Sequence, residues 1–278
     1  MPLGATSVNV VSDGTFLLDG GAMFGPVPKA TWELNMKPDR KNRIRLGLNC
    51  LLIRTAGRTI LVDTGAGSKR TDKFRDLYGL NGNKLLRDLR KLGVTARDID
   101  TVVLSHLHYD HSGGCTKLDR SGNAVPTFPK AEYVVQRSSL EEATEPNERG
   151  KDTYYEDDFL PLEEAGVLRL LDGDAEIAPG VNVKMTNGHS AGHQVVFVEA
   201  GSERIAYVAD LIPTPFHVPL TCIGAFDQSP NDTLAEKRDV IQTAIEGGWL
   251  LIFGHAFSQR AGYIEQRNGK PQLLPVEV

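Results

Sequence analysis

Ser105-His106-Leu107-His108-Tyr109-Asp110-His111 gathers three of the seven histidines and a carboxylate directly behind the apolar run Thr101-Val102-Val103-Leu104. By chance, His-x-His-x-Asp-His arises on the order of once in several thousand chains of this length and composition, so the pattern carries information. An apolar run of this kind reads as a buried strand, and the polar cluster sits at its exit. Residues two apart on extended backbone project to one side, so His106 and His108 can grip a single ion. Asp110 and His111 fall on the next turn. Gly113 and Gly114 let that turn tighten, which aims the second pair at a nearby point where a second ion would sit.

Outward from this cluster, the 278 residues are 40% hydrophobic and 24% charged, which excludes collagen-like, coiled-coil and largely disordered chains. The length suits one domain. Thirty-six acidic against 31 basic side chains give a net charge of -5, with no general attraction to a polyphosphate, so no nucleic-acid partner is expected. No apolar stretch approaches the roughly 18 residues of a spanning helix, so no membrane association is expected. The opening Met-Pro-Leu-Gly-Ala-Thr-Ser lacks the charged start and apolar run of a secretory signal, and the expected compartment is the cytoplasm. Cys50, Cys115 and Cys222 are odd in number and lack C-x-x-C spacing. They read as packing residues, with no disulfide framework and no thiolate metal site.

Strand-like segments at 7–11, 15–18, 44–55 and 59–63 are separated by glycine-bearing turns. A helix is predicted over 83–92, with Leu85, Leu86, Leu89 and Leu92 at helical spacing and Gly93 placed to end it. Strands follow at 101–105, 131–136, 167–171, 181–186, 194–199 and 204–209, then a helix at 233–246 and a strand at 249–253. Two sheets with outer helices accommodate this order. Residues 19–43, carrying Met23, Phe24 and Trp32, and the polar span 138–158 read as surface excursions, either of which could form a lid.

An ion needs three or four donors, so ligands must also come from elsewhere. His189 lies in Asn187-Gly188-His189-Ser190-Ala191-Gly192-His193, Asp210 follows Ile205-Ala206-Tyr207-Val208-Ala209, and His255 follows Trp249-Leu250-Leu251-Ile252-Phe253-Gly254. Each stands behind an apolar run, as the first cluster does. Together, His106, His108, Asp110, His111, His189, Asp210 and His255 resemble the ligand series of the metallo-β-lactamase superfamily. That resemblance implies an α/β (α+β) fold, a four-layer αββα sandwich with a dinuclear site at one edge of the two sheets. It further implies that His106, His108 and His189 bind one ion, that Asp110, His111 and His255 bind the other, and that Asp210 bridges them. Val62-Asp63-Thr64-Gly65 resembles the family's early Asp-Thr-Gly turn, where Asp63 would fix a ligand imidazole without touching the ion. His193 reads as structural, and His217 as lining a substrate cavity.

Two divalent ions sharing a water lower its pKa towards neutrality and so generate a bridging hydroxide that attacks an electrophilic carbon or phosphorus. Asp110 and Asp210 are the expected catalytic carboxylates, Asp110 passing a proton to the leaving alkoxide. Imidazole and carboxylate donors suit Zn and also accept Mn, Fe or Co. Asp210 separates the chain from the antibiotic-cleaving branches, which typically lack an aspartate in the bridging role. Glyoxalase II and RNase Z relatives share the ligand series, but this chain has no basic arm for tRNA.

Residues 19–29, and 209–214 with His217, Pro219 and Ala225-Phe226-Asp227, resemble the quorum-quenching lactonase (YtnP-like) branch, which shades into methyl parathion hydrolase and aryl esterases. The resemblance implies a small-molecule substrate, an N-acyl homoserine lactone or related lactone, and a homodimer. Met23, Phe24 and Trp32 would then wall an acyl chain. Well-known acyl-homoserine lactonases contact the lactone with a tyrosine three residues after the bridging aspartate, and this chain departs from them with Pro213. The alternative substrates are an aryl ester or an organophosphate triester. The alternative of another class is a metal-binding module without turnover, against which the complete ligand set argues.

Overall fold

A computed structural model describes residues 6–278; residues 1–5 of the opening stretch read above lie outside the described residues. Strands β1 (Ser7–Asp19) and β2 (Arg43–Thr55) pair antiparallel along their full length, from Ser7 against Arg54 to Asp19 against Arg43. The two segments read on either side of Gly14 are therefore one strand with an irregularity between Ser12 and Gly14. Gly14 has φ +129° and approaches Asn81 so closely that a Cβ there would meet the Asn81 carbonyl oxygen at 2.0 Å. The glycine marks a bulge, which looks like a turn in sequence.

Helices α1 (Gly20–Phe24) and α2 (Lys29–Trp32) occupy part of the first excursion. Strand β3 (Arg58–Val62), helices α3 (Thr71–Tyr78) and α4 (Leu85–Lys91), strand β4 (Thr101–Val103) and the one-turn α5 (Tyr109–Ser112) follow. A small hairpin, β5 (Thr116–Leu118) with β6 (Ala124–Pro126), precedes β7 (Glu132–Gln136), α6 (Arg137–Thr144), α7 (Leu160–Glu164) and β8 (Leu168–Leu171). The first sheet has the order β1-β2-β3-β4-β7-β8, with β3, β4, β7 and β8 parallel.

The second sheet uses β9 (Ala175–Ala178), β10 (Val181–Met185), β11 (Gln194–Ala200) and β12 (Glu203–Tyr207), then β13 (Leu250–Ile252), β14 (Ala261–Arg267) and β15 (Lys270–Val276), in the order β15 to β9. Helix α8 (Pro230–Gly247) carries the chain across from β12 to its parallel neighbour β13. Helix α3, strand β9 and the β14–β15 hairpin were not expected from sequence.

The layers are those expected: helix, sheet, sheet, helix. Leu51, Ile53, Val62 and Val103 of the first sheet meet Val183, Val196, Tyr207 and Ile252 of the second in one buried cluster. Outside the first sheet, Leu89, Leu140 and Leu162 close a second cluster, and outside the second sheet Val240, Ile241 and Ala244 of α8 close a third. Because β2 is covered on both faces, it reads as a nearly continuous apolar run. Truncating a side chain such as Leu51, fully buried here, costs roughly 2–5 kcal/mol through lost transfer energy and the cavity left behind.

At one edge, β2 bonds directly to the loop after β13. Gly47 N donates to His255 O (3.0 Å), Asn49 N to Gly254 O (2.9 Å), and Asn49 Nδ2 to Phe253 O and Ala256 O (3.0 and 2.7 Å). A Cβ at Gly47 would meet Ala256 O at 2.5 Å, so only glycine permits this stitch. Among the described residues, no helix is long and apolar enough to cross a membrane.

Candidate metal centre

The histidine cluster begins two residues beyond the end of β4. Ser105, His106, Leu107 and His108 are extended loop, and α5 then turns Asp110 and His111 back towards them, with His111 N bonded to His108 O at 3.0 Å. His106 Nε2 and His108 Nδ1 come within 2.9 Å of each other. His189 arrives from the loop after β10, Asp210 from the turn after β12 and His255 from the loop after β13. Asp210 is presented by Ala209 at φ +41°, and Asp63 itself sits at φ +57°. For alanine this left-handed backbone is strained, a cost that the surrounding structure sustains at a functional turn.

The seven donors converge as two groups, His106, His108, His189 and Asp210 in one, Asp110, His111 and His255 in the other. Within the first, His189 Nε2 lies 3.1 Å from His108 Nδ1 and 3.1 Å from Asp210 Oδ2. Within the second, His111 Nε2 and His255 Nε2 are 3.1 Å apart, and Asp110 Oδ2 is 3.4 Å from His255 Nε2. Asp210 spans both: Oδ2 faces the first group, while Oδ1 is 3.0 Å from His255 Nε2 and 3.3 Å from His111 Nε2. Oδ1 is buried and takes no hydrogen bond among the described residues. Lone pairs crowded together in this way repel one another unless protons or cations lie among them, and the donor set fits divalent ions.

Residues 44–255 match the sequence profile of the metallo-beta-lactamase superfamily. The chain belongs to that superfamily. It is 25% identical over 230 residues to the N-acyl homoserine lactonase AiiA of Bacillus thuringiensis subsp. kurstaki, covering 78% of this chain and 84% of that protein. A probable metal-dependent hydrolase from Staphylococcus aureus superposes with a TM-score of 0.88 at 29% identity, over 100% of both chains. AidC, a dizinc quorum-quenching lactonase in complex with a product, superposes with a TM-score of 0.79 at 21% identity, over 100% of this chain and 97% of that one. This protein is accordingly a metal-dependent hydrolase of the metallo-beta-lactamase superfamily, with a His/Asp metal-binding cluster.

In this superfamily member, four of the five clustered imidazoles are held from behind through Nδ1. His111 donates to Asp63 Oδ2 (2.7 Å), His189 to Asp227 Oδ1 (2.6 Å) and His255 to Gly47 O (2.9 Å). His106 bonds Ser105 Oγ at 3.0 Å, whose own hydroxyl donates to Asp63 Oδ2 (2.8 Å). Each bond fixes the tautomer that turns an Nε2 lone pair inward. His108 is the exception, facing in with Nδ1. Asp63 also accepts from Ser105 N (2.7 Å) and Tyr207 OH (3.0 Å), so one carboxylate joins the strand exit, the cage and the second sheet.

Sequence reasoning named Asp63 but missed Asp227, Ser105 and the Gly47 carbonyl. Asp227 stands in the quoted Ala225-Phe226-Asp227 stretch, which was the available signal. His193 lies outside the cage, accepting from Asp210 N at Nε2 (3.2 Å) and bonded to Thr186 Oγ1 at 2.8 Å. Burial, then the neighbouring His189, pushes its pKa down to about 3, which keeps it a neutral acceptor.

His217 accepts from Thr214 Oγ1 (2.7 Å), donates to Met23 O (2.9 Å) and stacks on Phe24 at 4.6 Å, which in turn stacks on Trp32 at 5.5 Å. Met23 and His217 reach a gap of about 20 Å3 beside His189 and Asp210. Phe24 and Trp32, each 2% exposed, stand behind Met23 and support that wall without forming its surface.

Electrostatically, the cage sorts its own rings. Burial opposes a charge on Asp210, yet His255, His111 and His189 outweigh it and hold the carboxyl well below the usual range. Burial likewise opposes a proton on His189, but Asp210 and then Asp227 carry its pKa up to about 10. Burial, and then the other imidazoles, holds His106 and His108 well below the ordinary histidine value. A cation entering the cage therefore competes with protons on the rings that face Asp210.

Proposed function

We propose that this hydrolase is a lactonase opening N-acyl homoserine lactones or related lactones, with two divalent ions, zinc foremost, in the cage. His106, His108 and His189 would hold one ion, Asp110, His111 and His255 the other, and Asp210 both. The observation that carries this reading is the division of Asp210, whose two oxygens face the two groups separately. The lactone substrate is supported by the names of AiiA and AidC and by the 19–29 and 209–227 stretches. When bound, such an ion pair supplies a nucleophile at neutral pH and a Lewis acid for the substrate carbonyl.

The chain's own residues do the rest. Ring opening breaks the bond between the carbonyl carbon and the ring oxygen, which then needs a proton. As an oxygen from water bonds to the carbonyl carbon in its place, Asp110, partly exposed at the cage, would take up the proton that this water releases and pass it to the ring oxygen. The braces from Asp63, Asp227, Ser105 and Gly47 hold the imidazoles in register, so little reorganisation accompanies the reaction.

The test compares kcat/KM for acyl-homoserine lactones, simple lactones, aryl esters and an organophosphate triester on one metal-loaded sample. The expected result is a preference for lactones of about tenfold or more, with about two ions per chain and turnover abolished by chelation. A comparable preference for the triester overturns the lactone reading, and bound metal without turnover on any ester overturns catalysis.

A further inference from the structure

The brace from Asp227 to His189 joins two separate loops, so it closes only if those loops are held in register. The His189 loop is wedged between two helices. A Cβ at Gly188 (φ +119°) would meet Thr233 N of α8 at 2.4 Å, and one at Gly192 (φ +64°) would meet Ser138 Oγ of α6 at 2.5 Å. The Asp227 loop runs alongside, with Gln228 N bonded to His189 O (3.2 Å) and Ser229 N to Gly188 O (2.8 Å).

One side chain outside the cage touches both loops. Glu142, on α6, accepts through Oε2 from Ala191 N (2.6 Å), two residues after His189. Through Oε1 it accepts from Gln228 Nε2 (2.5 Å), one residue after Asp227. The same Oε1 accepts the Tyr154 hydroxyl, and the buried Tyr154 ring lies 4.9 Å from that of His108. Arg149, further along the same excursion, donates to Asp227 O at 2.8 Å, so the 138–158 span grips the Asp227 loop twice.

The chemistry of this junction calls for a carboxylate. Three donors converge on two oxygens, and no donor is asked of the side chain. A glutamine of the same shape offers one oxygen and turns an NH2 group against a donor, which is then left unpaired.

The partners of Glu142 also fall on one side of the cage. His108 and His189 belong to the donor group that meets Asp210 Oδ2. In the other group, His111 rests on Asp63 and His255 on Gly47 O, neither of which Glu142 touches.

Resting on the two-ion reading of the cage, we infer that Glu142 is a positioning residue for one ion only. It locks the His189 and Asp227 loops in register, backs His108 through Tyr154, and so sets the affinity of the site formed by His106, His108 and His189 without contacting it. The 138–158 span acts here as a fixed clamp on that half of the cage.

The experiment measures the stepwise zinc dissociation constants of the full chain by chelator competition, with thermal melting alongside. Glu142→Gln is expected to raise one constant by about tenfold and to leave the other within about twofold. Glu142→Gln combined with Asp227→Asn should weaken that same site by about as much as Asp227→Asn alone, because both substitutions open one contact. A general loss of stability would instead weaken both sites and leave the two substitutions independent.

Unchanged constants in Glu142→Gln, equal weakening of both sites, or a double variant weakened by about a hundredfold, the product of two separate tenfold effects, overturns the proposal. If Glu142→Gln does not melt cooperatively, Gln228→Leu supplies the reading: it keeps the carboxylate and removes its hold on the Asp227 loop. That variant should raise the same constant by about threefold, and unchanged constants in it overturn the proposal. A parent chain that takes up a single ion overturns the two-ion reading; Glu142 is then judged on that one constant, and an unchanged value in Glu142→Gln overturns its role as well.

Discussion

The two halves of the cage are built differently. Four ligands come from six consecutive residues, His106 to His111, folded over one turn. The other three come from three separate strand exits and meet only when the second sheet closes against the first. The local half can form its ion grip from neighbouring backbone. The dispersed half depends on long-range packing, on the positive φ of Ala209 and on the β2 stitch to the His255 loop. The comparison teaches that a metal cage can be conspicuous in sequence and still be incomplete without tertiary structure.

The severest challenge to this picture is Asp210→Ala, which removes the residue common to both groups. At least one ion per chain should be lost and kcat should fall by roughly a thousandfold or more, read by metal analysis and steady-state kinetics. Full metal content with a normal rate would show that Asp210 does not join the two groups.

Next come the braces, one for each half. Asp63→Asn should weaken zinc binding by roughly a hundredfold and Asp227→Asn by roughly tenfold, measured by chelator competition. Asp63 should dominate because it serves His111, Ser105 and Tyr207 together, whereas Asp227 serves His189. The reverse order would mean that the dispersed half governs affinity.

The smallest effect is the pH response. His189 is raised from 6.5 to about 10 in the metal-free fold, against the opposition of burial, because Asp210 and Asp227 favour its proton. A raised folded pKa contributes stability that is complete below about pH 6.5 and is lost as pH rises through about 10. The metal-free protein should therefore melt at progressively lower temperature between those limits, while zinc affinity climbs by about tenfold per pH unit for each proton displaced. A metal-free melting temperature that is flat across this range would contradict the protonated pairing.

Sequence legibility follows the same division. The spacing from His106 to His111 needs no fold to be noticed, and His189, Asp210 and His255 were legible because each follows an apolar run. Asp227 was not, since its role exists only when the loop behind α8's start lies against His189. Helix α3 buries Phe74 and exposes Leu77, a weak apolar face. The β14–β15 hairpin is an edge whose Pro271 and Pro275 conceal its strand character. Gly14 hid a continuous strand for the opposite reason, because a bulge and a turn make the same demand for glycine. Met23, Phe24 and Trp32 were visible as large apolar groups, but only packing shows that Met23 reaches the site gap while the two rings stand behind it.

Phe226 and Asp227 are neighbours in the chain, yet one is 39% exposed at the mouth and the other 4% exposed behind His189. A loop that meets incoming molecules with one side chain and steadies an imidazole with the next cannot be reshaped for new chemistry without disturbing ion retention.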